Sequence, residues 1–204
     1  MRRPLTSTLC LPLVPKSWYE VVDETSLEQG DVLLGCPVFR VTMPTPSSAE
    51  HAGDGSTSAI DVLEEQHNLV VLTQSCDLVS DKVTDVLVAG IHTYQEFVSQ
   101  GGTANTYIRG KSFREAAIKG NLPAQSLLPE RLEPPSLPWS LVDFHHLFTI
   151  PKPVLMEYVS SSGQRLRLVP PYREHLAQAF ARYLMRVGLP HQLDQFATVT
   201  LPPT

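Results

Sequence analysis

The stretch Asn68-Leu-Val-Val-Leu-Thr-Gln-Ser-Cys-Asp-Leu78 joins a run of four apolar residues to five polar or reactive ones. A short apolar run of this kind is typical of a strand that is buried on both faces. Folds often place functional residues where a rigid strand ends in a loop. We therefore expect one pocket, with Asp143 and His145 or His146 nearby, that gathers the side chains of Thr73, Gln74, Ser75, Cys76 and Asp77.

Short apolar or alternating runs continue on both sides of this stretch. Residues 36–42 alternate Val38 and Arg40 with Phe39 and Val41, a period that predicts a half-buried strand. Residues 164–169 (Gln-Arg-Leu-Arg-Leu-Val) alternate strictly and predict another strand. The chain is therefore expected to be built mainly from short strands.

The end of the chain carries the clearest helical pattern, over residues 171–187. Leu176, Phe180, Leu184 and Val187 form one apolar stripe, and Gly188 follows as a stop signal. With 204 residues, of which 42% are hydrophobic, the chain suits a single domain over 1–204. We predict an α+β fold, mainly β, in which a small barrel or curled sheet packs against this amphipathic C-terminal helix.

Two segments lack the apolar residues that a core needs. Residues 1–17 are interrupted by prolines and are expected to form an N-terminal arm. Residues 43–59 are rich in Pro, Ser and Gly and predict a flexible loop, because little surface can be buried there to offset the entropy of ordering.

Charge and cysteine content restrict the class of partner and the compartment. The net charge is −5 and only residues 141–204 carry a basic excess, so nucleic acid is not favoured as a partner. The arginines of that part form either a local basic patch or, as we expect, ordinary solvated side chains: Arg165, Arg167, Arg173, Arg182 and Arg186. Three cysteines and no long apolar run predict a reduced cytoplasmic protein without a membrane segment.

Cys76 is the most reactive residue type in the opening stretch, and it allows three interpretations. It could be a nucleophile with a histidine base, for which His67, His92, His145 and His146 are available. It could be a zinc ligand together with Cys36 and two histidines. We favour a buried structural cysteine, with Asp77 capping the turn, that resists alkylation. The sequence contains no GxGxxG, P-loop, HExxH or CxxC motif, and we predict neither a cofactor nor a metal site.

The adjacent histidines His145 and His146 follow Asp143 on a predicted strand. Successive side chains of a strand point to opposite faces. We therefore expect only one of the two histidines to join a site with Asp143.

The order of several segments resembles that of MazF/PemK-type toxins. The quoted pieces are Gln29-Gly-Asp-Val-Leu33, Val70-Val-Leu-Thr-Gln-Ser75, Ala89-Gly-Ile-His-Thr93 and the segment from Leu141 to Leu155. The resemblance implies an SH3-like barrel, and it would make Thr93 the counterpart of the active-site threonine. These ribonucleases carry an arginine just before the second piece, where this chain has Glu65-Gln-His-Asn68. The motif LTQSCDL and residues 165–190 also look like a bacterial family whose activity is uncharacterised.

Three functions follow from these observations. We favour a non-catalytic binding or regulatory module that acts with a protein partner in a bacterial stress or defence system of the toxin–antitoxin type. Basic residues of the C-terminal helix, such as Arg173, would help it dock. The second is a MazF/PemK-like endoribonuclease with a rearranged site, in which His67 is the general acid or base and Thr93 or Arg40 steadies the phosphate. The third is a cysteine- or metal-dependent enzyme.

Overall fold

The computed structural model describes residues 17–42, 61–100 and 105–185. Most of the predicted arm 1–17, the predicted loop 43–59 and residues 186–187 of the predicted helix lie outside this part. The strands are β1 (Tyr19–Val22), β2 (Asp31–Thr42), β3 (Asp61–Val71), β4 (Asp85–Thr93), β5 (Gln125–Leu128), β6 (Ser140–Pro151) and β7 (Arg165–Leu168). The helices are α1 (Ser75–Val79), α2 (Tyr94–Gln100), α3 (Asn105–Arg109), α4 (Lys111–Ile118), α5 (Lys152–Ser162) and α6 (Tyr172–Leu184).

The seven strands form one sheet in the order β1-β7-β2-β3-β4-β6-β5, and every neighbouring pair is antiparallel. The prediction of a sheet-rich α+β fold is confirmed. None of the described helices is long and apolar enough to cross a membrane.

The apolar run in β3 contributes buried side chains to both faces of the sheet. Val70 belongs to a core that includes Leu176 of α6, whereas Leu69 and Val71 belong to a second core that includes Leu155 of α5. Because helices cover both faces of the sheet at this point, successive residues of the strand are all buried, and the usual alternation disappears. A third core joins α2, α3 and α4 to β6.

Helix α6 covers Tyr172–Leu184, close to the predicted start of the C-terminal helix. Leu176 is buried and Phe180 packs beside it, but Leu184 is 56% exposed, so the predicted stripe does not stay on the core along its whole length. Helix α5 was not predicted. Its sequence signals are a proline in the first turn, Pro153, and Gly163 directly after its end.

The expectation that Arg165 and Arg167 are solvated is wrong, because both side chains are only 4% exposed. They bind the carboxylate of Asp31, which is fully buried: Arg165 Nε donates to Oδ2 at 3.0 Å and Arg167 Nε donates to Oδ1 at 2.5 Å. Arg167 also pairs with Glu24 and, at 3.1 Å, with Glu28. β7 is a strand, as its alternation predicts. Both of its faces are covered, and the charged groups of the two arginines on one face are paired with carboxylates.

The outer half of β2 and β3 forms a two-stranded ribbon, residues 37–42 and 61–66. We call this ribbon the arm; it is distinct from the predicted N-terminal arm, residues 1–17. The arm pairs only within itself among the described strands, since β7 reaches β2 at Asp31 and Val32 and β4 reaches β3 from Asn68 onward. Phe39 and Val41 are therefore 56% and 63% exposed, although a half-buried strand normally covers one of its faces. The residues alternate as predicted, but among the described residues no second layer covers these two side chains.

Candidate functional site

The hydroxyl groups of Thr73 and Ser75, just after β3, bind different parts of the fold. Thr73 Oγ1 accepts a hydrogen bond from the backbone N–H of Leu87 at 2.8 Å. Ser75 Oγ accepts one from the backbone N–H of Gln29 at 3.1 Å and donates to Glu28. Thr73 thus fixes the end of β3 to β4, and Ser75 fixes α1 to the turn before β2. Their bonds are structural, and none of the hydrogen bonds or ion pairs of residues 73–77 in the described part reaches Asp143.

Cys76 is exposed, so the prediction of a buried cysteine is wrong. Helix α1 begins at Ser75 and turns Cys76 outward, while Leu78 supplies the buried contact of this helix. The sulfur lies 3.6 Å from Gln74 Oε1 and 3.8 Å from Asp77 Oδ1. No histidine is among the described polar partners of this sulfur. Cys36 is the buried cysteine, and burial raises the pKa of its thiol to about 11.

Two further predicted site residues stabilise the fold. Thr93 and Glu96 form a reciprocal cap at the start of α2: Glu96 N–H donates to Thr93 Oγ1 at 3.1 Å, and Thr93 N–H donates to Glu96 Oε2 at 2.8 Å. Arg173 pairs with Glu28 and Glu174, each at 3.3 Å. The cap occupies the hydroxyl of Thr93, and the ion pairs tie Arg173 to the turn before β2.

Asp143 and the neighbouring histidines do come together. His145 Nδ1 lies 3.0 Å from Asp143 Oδ1, and His146 Nδ1 lies 3.5 Å from Asp143 Oδ2. His92 on the adjacent strand β4 places its Nε2 3.0 Å from His146 Nδ1. We call these four residues, His92, Asp143, His145 and His146, the histidine cluster. The prediction that only one of the paired histidines could reach Asp143 is wrong.

An irregularity in the pairing of β4 with β6 explains this geometry. Gly90 pairs with Asp143 and Ala89 pairs with Leu147, so three residues of β6 have no counterpart on β4. This bulge removes the strict alternation of a regular strand and lets His145 and His146 both turn toward Asp143. Gly90 leaves the necessary space, because a Cβ atom at this position would lie 3.2 Å from the Cβ atom of His146.

The polar partners of Asp143 hold its carboxylate in one orientation. Oδ1 accepts hydrogen bonds from Gln125 Nε2 and from the backbone N–H of His145, both at 3.2 Å. Asp143 is 6% exposed, whereas the side chains of His145 and His146 are 59% and 49% exposed. The cluster therefore has a buried carboxyl group at its base and a rim of exposed imidazole rings.

The electrostatic setting of His92 disfavours its charged form. Its burial, and then the proximity of His146, lower the pKa of His92 below its usual value, although the charge of Asp143 opposes this effect. A neutral imidazole can accept a proton or coordinate a cation. In the sequence, His92 stood out only as a base for Cys76. The missed signal is its place two residues after Gly90, on the same side of β4.

A second polar group lies on the arm and at its base. Glu65 Oε2 is 3.2 Å from Arg40 Nε and 3.1 Å from His67 Nε2. The guanidinium of Arg40 also lies over the ring of Phe148, 5.6 Å from its centroid. The structure thus brings together His67 and Arg40, two residues of the ribonuclease hypothesis, and leaves Thr93 engaged in its helix cap.

No protein-family model matches the chain, and no curated protein matches it either.

Proposed function

We propose that this protein is a non-catalytic binding module that acts with a protein partner in a bacterial stress or defence system. The observation that carries the proposal is the apolar side of the arm. Phe39, Val41 and Val62 are 56%, 63% and 58% exposed. Val41 pairs directly with Val62, and Phe39 lies two residues before Val41, so the three side chains share one face.

The pairing of the arm explains why a partner would bind there. A two-stranded hairpin is marginally stable in water by itself, and its outer edges present backbone groups that can pair with another strand. Recognition by addition of a strand combines backbone hydrogen bonds with pockets for alternate side chains. The apolar face supplies surface whose burial would stabilise such a complex, and a contiguous exposed apolar patch is typical of interaction sites.

Several finer expectations belong to the same proposal. The stress or defence context is supported only by the resemblance to MazF/PemK toxins. An SH3-like barrel is supported by Tyr19 of β1, whose hydroxyl donates to the carbonyl of Pro129 just after β5 at 2.8 Å and so joins the two ends of the sheet order. A cytoplasmic location is supported by the free thiols Cys36 and Cys76.

The proposal is tested by site-specific photo-crosslinking in the native cells. A crosslinking residue at position 39 should give one discrete product that combines this chain with a different protein. The same residue at position 132 should not, although Leu132 is also an exposed apolar residue, 78% accessible. Val41→Lys should abolish the product, because a charge in the middle of the patch would have to be desolvated on binding.

Two results would contradict the binding proposal. One is a crosslinking pattern at position 39 that is no different from that at position 132. The other is a product with twice the mass of the chain, which would assign the arm to self-association rather than to a partner.

The second candidate function is a ribonuclease of the MazF/PemK kind with a rearranged site, because the structure groups His67, Glu65 and Arg40. A histidine and a carboxylate within hydrogen-bonding distance are suited to transfer protons, and an arginine suits a phosphate. Arg40 and Glu65 are half exposed, so a substrate could reach them. The net charge of −5 opposes RNA binding by the chain as a whole.

Induced expression distinguishes this candidate from the binding module. A ribonuclease should arrest growth and fragment RNA, and His67→Ala should remove both effects. His175→Ala is the matched control, since His175 is exposed on α6 and its ring makes an edge-on contact with the ring of Tyr172. Normal growth with intact RNA would eliminate the ribonuclease hypothesis. It would not affect the proposal of a binding module.

A further inference from the structure

The histidine cluster offers three ligand atoms with the spacing of a metal site. The candidate atoms of His92, Asp143 and His146 all lie within 4.8 Å of one another. The His92–His146 nitrogen distance is 3.0 Å, and His146 Nδ1 lies 3.5 Å from Asp143 Oδ2. Ligands at about 2.05 Å from a tetrahedral zinc ion are about 3.3 Å apart, close to both distances.

The surroundings of these atoms favour a bound cation over a simple hydrogen-bonded group. The other oxygen of Asp143 is held by Gln125 and His145, which leaves Oδ2 directed toward His146. Carboxylates that bind metals are oriented in this way by neighbouring donors. Gly90 provides space at the same point, since an added Cβ atom would lie 3.6 Å from His92 Nε2.

We propose that His92, Asp143 and His146 bind one divalent transition-metal ion, with zinc(II) the best match. Two imidazoles and one carboxylate suit zinc and its first-row neighbours, whereas magnesium and calcium prefer oxygen ligands. Three protein ligands leave a fourth position for water or an exchangeable anion. That position would face solvent, because the side chain of His146 is 49% exposed.

This site replaces the expectation, drawn from the sequence, of no metal, and also the alternative of zinc bound by Cys36 and Cys76. Among the described residues, the grouping of possible ligands contains neither cysteine. The proposal does not depend on the partner-binding role, because the arm and the bulge of β6 are different parts of the sheet. His145 is assigned as a positioning residue: it binds Asp143 through Nδ1 and contacts Tyr183 of α6.

The test is metal titration of the full-length protein, purified without a histidine tag and stripped with a chelator. We expect one zinc(II) per chain by calorimetry, visible absorption bands with cobalt(II) in place of zinc, and no binding of magnesium at the same concentrations. His92→Ala and His146→Ala should each weaken zinc binding by more than about 100-fold, because a coordinating atom is lost. His145→Ala should weaken it by about 10-fold, as expected for an outer-shell partner.

Two controls make the titration decisive. His175→Ala should bind zinc like the wild type, since His175 is exposed on α6, outside the cluster. Gly90→Ala should weaken binding although it removes no ligand, because its Cβ atom would displace His146. Circular dichroism and melting temperature without metal identify any variant that does not fold, and the half-exposed His146→Ala carries the test in that case.

Either of two outcomes would overturn the metal site. The first is a wild-type protein that binds zinc no more tightly than magnesium. The second is a folded His146→Ala variant that binds zinc as tightly as the wild type, with the same cobalt spectrum, which would place the ion elsewhere in the chain.

Discussion

Two aspartates of this protein have similar surroundings but different relations to solvent. Asp31 is fully buried between Arg165 and Arg167, which are themselves 4% exposed. Asp143 is 6% exposed, yet its histidine partners His145 and His146 have side-chain exposures of 59% and 49%. Both carboxylates sit beside nitrogen-bearing side chains of the sheet, but only Asp143 has partners that a ligand could reach.

The difference shows what each cluster can contribute. Around Asp31 both oxygens accept from arginines, and the arginines also bind backbone carbonyls of the turn before β2, at Glu24 and Ser26. Burial alone would lower the pKa of Arg167, but its hydrogen bonds to Asp31 and Glu24 and the charges of Asp31 and Glu28 outweigh burial and raise it. A closed, satisfied network of this kind serves the fold. An open network of exposed imidazole rings, such as that around Asp143, is available for binding.

The largest expected effect is the loss of stability on removing the charge of Asp31. Asp31→Asn should lower the free energy of unfolding by about 3–5 kcal/mol, because two buried guanidinium groups lose the carboxylate that they share. Asp143→Asn should cost only about 1–2 kcal/mol, since its partners can turn to water. Urea unfolding measures both values.

Asp85→Asn is the control for these two variants, since Asp85 is exposed at the start of β4 and should tolerate the change within about 0.5 kcal/mol. The comparison between the two clusters breaks down if Asp143→Asn is as costly as Asp31→Asn.

The two described cysteines extend the comparison from carboxylates to thiols. In a Cys10→Ser background, Cys76 should react with a maleimide at least about 100-fold faster than Cys36 at neutral pH. Cys76 is exposed, whereas Cys36 is 1% exposed and burial raises its pKa to about 11. Mass spectrometry of the labelled peptides gives the two rates. Equal labelling of Cys36 in the folded state would show that this core opens readily.

A smaller effect is expected from the cap that follows His92. Thr93→Ala should lower the free energy of unfolding by about 1 kcal/mol, because the first turn of α2 loses a hydrogen-bond acceptor. Ser99→Ala, in the same helix, should change it by less than about 0.5 kcal/mol. Thermal unfolding of both variants measures the difference. Unchanged stability of Thr93→Ala would mean that the fold does not depend on this cap, and Thr93 would again be a candidate site residue.

The smallest effect should come from Glu24, at the exposed rim of the arginine network. The hydrogen bond to Arg167 lowers the pKa of Glu24 below its usual value of 4.5. A carboxyl with a lowered folded-state pKa stabilises the protein above its unfolded pKa, and this contribution is lost as the pH falls through the folded value.

The urea midpoint of the wild type should therefore fall more steeply below pH 4.5 than that of Glu24→Gln. Glu157→Gln, a change at an exposed carboxyl of α5, should follow the wild type. Identical pH profiles for all three proteins would mean that the bond to Arg167 does not persist in solution.

The sequence predicted strands better than it predicted what covers them. The alternation of residues 165–168 correctly indicated a strand, but the acid that neutralises its arginines lies 134 residues earlier in the chain, at Asp31. The alternation around Phe39 and Val41 also correctly indicated a strand, yet no second layer from the described part of the chain covers these two side chains. Periodicity reports the local backbone, whereas burial depends on distant elements.

The candidate site was predictable only in part. Asp143 and His145 were named from the sequence, and the structure places them in contact. The participation of both His146 and His92 depends on a register shift between β4 and β6, which no local pattern reveals. The polar residues of the opening stretch have a second explanation that the sequence does not reveal: Thr73 and Ser75 accept hydrogen bonds from backbone groups of other elements.

The bulge in β6 has a consequence for tracing this protein's history. It converts a spacing of three residues, normally typical of helices, into a shared face on a strand. The pair Gly90-x-His92 and Asp143-x-x-His146 therefore forms a two-part signature. If the proposed metal site is correct, we expect relatives that keep it to retain the glycine as strictly as the histidines. In relatives that have lost the site, position 90 should be among the first to carry a larger residue.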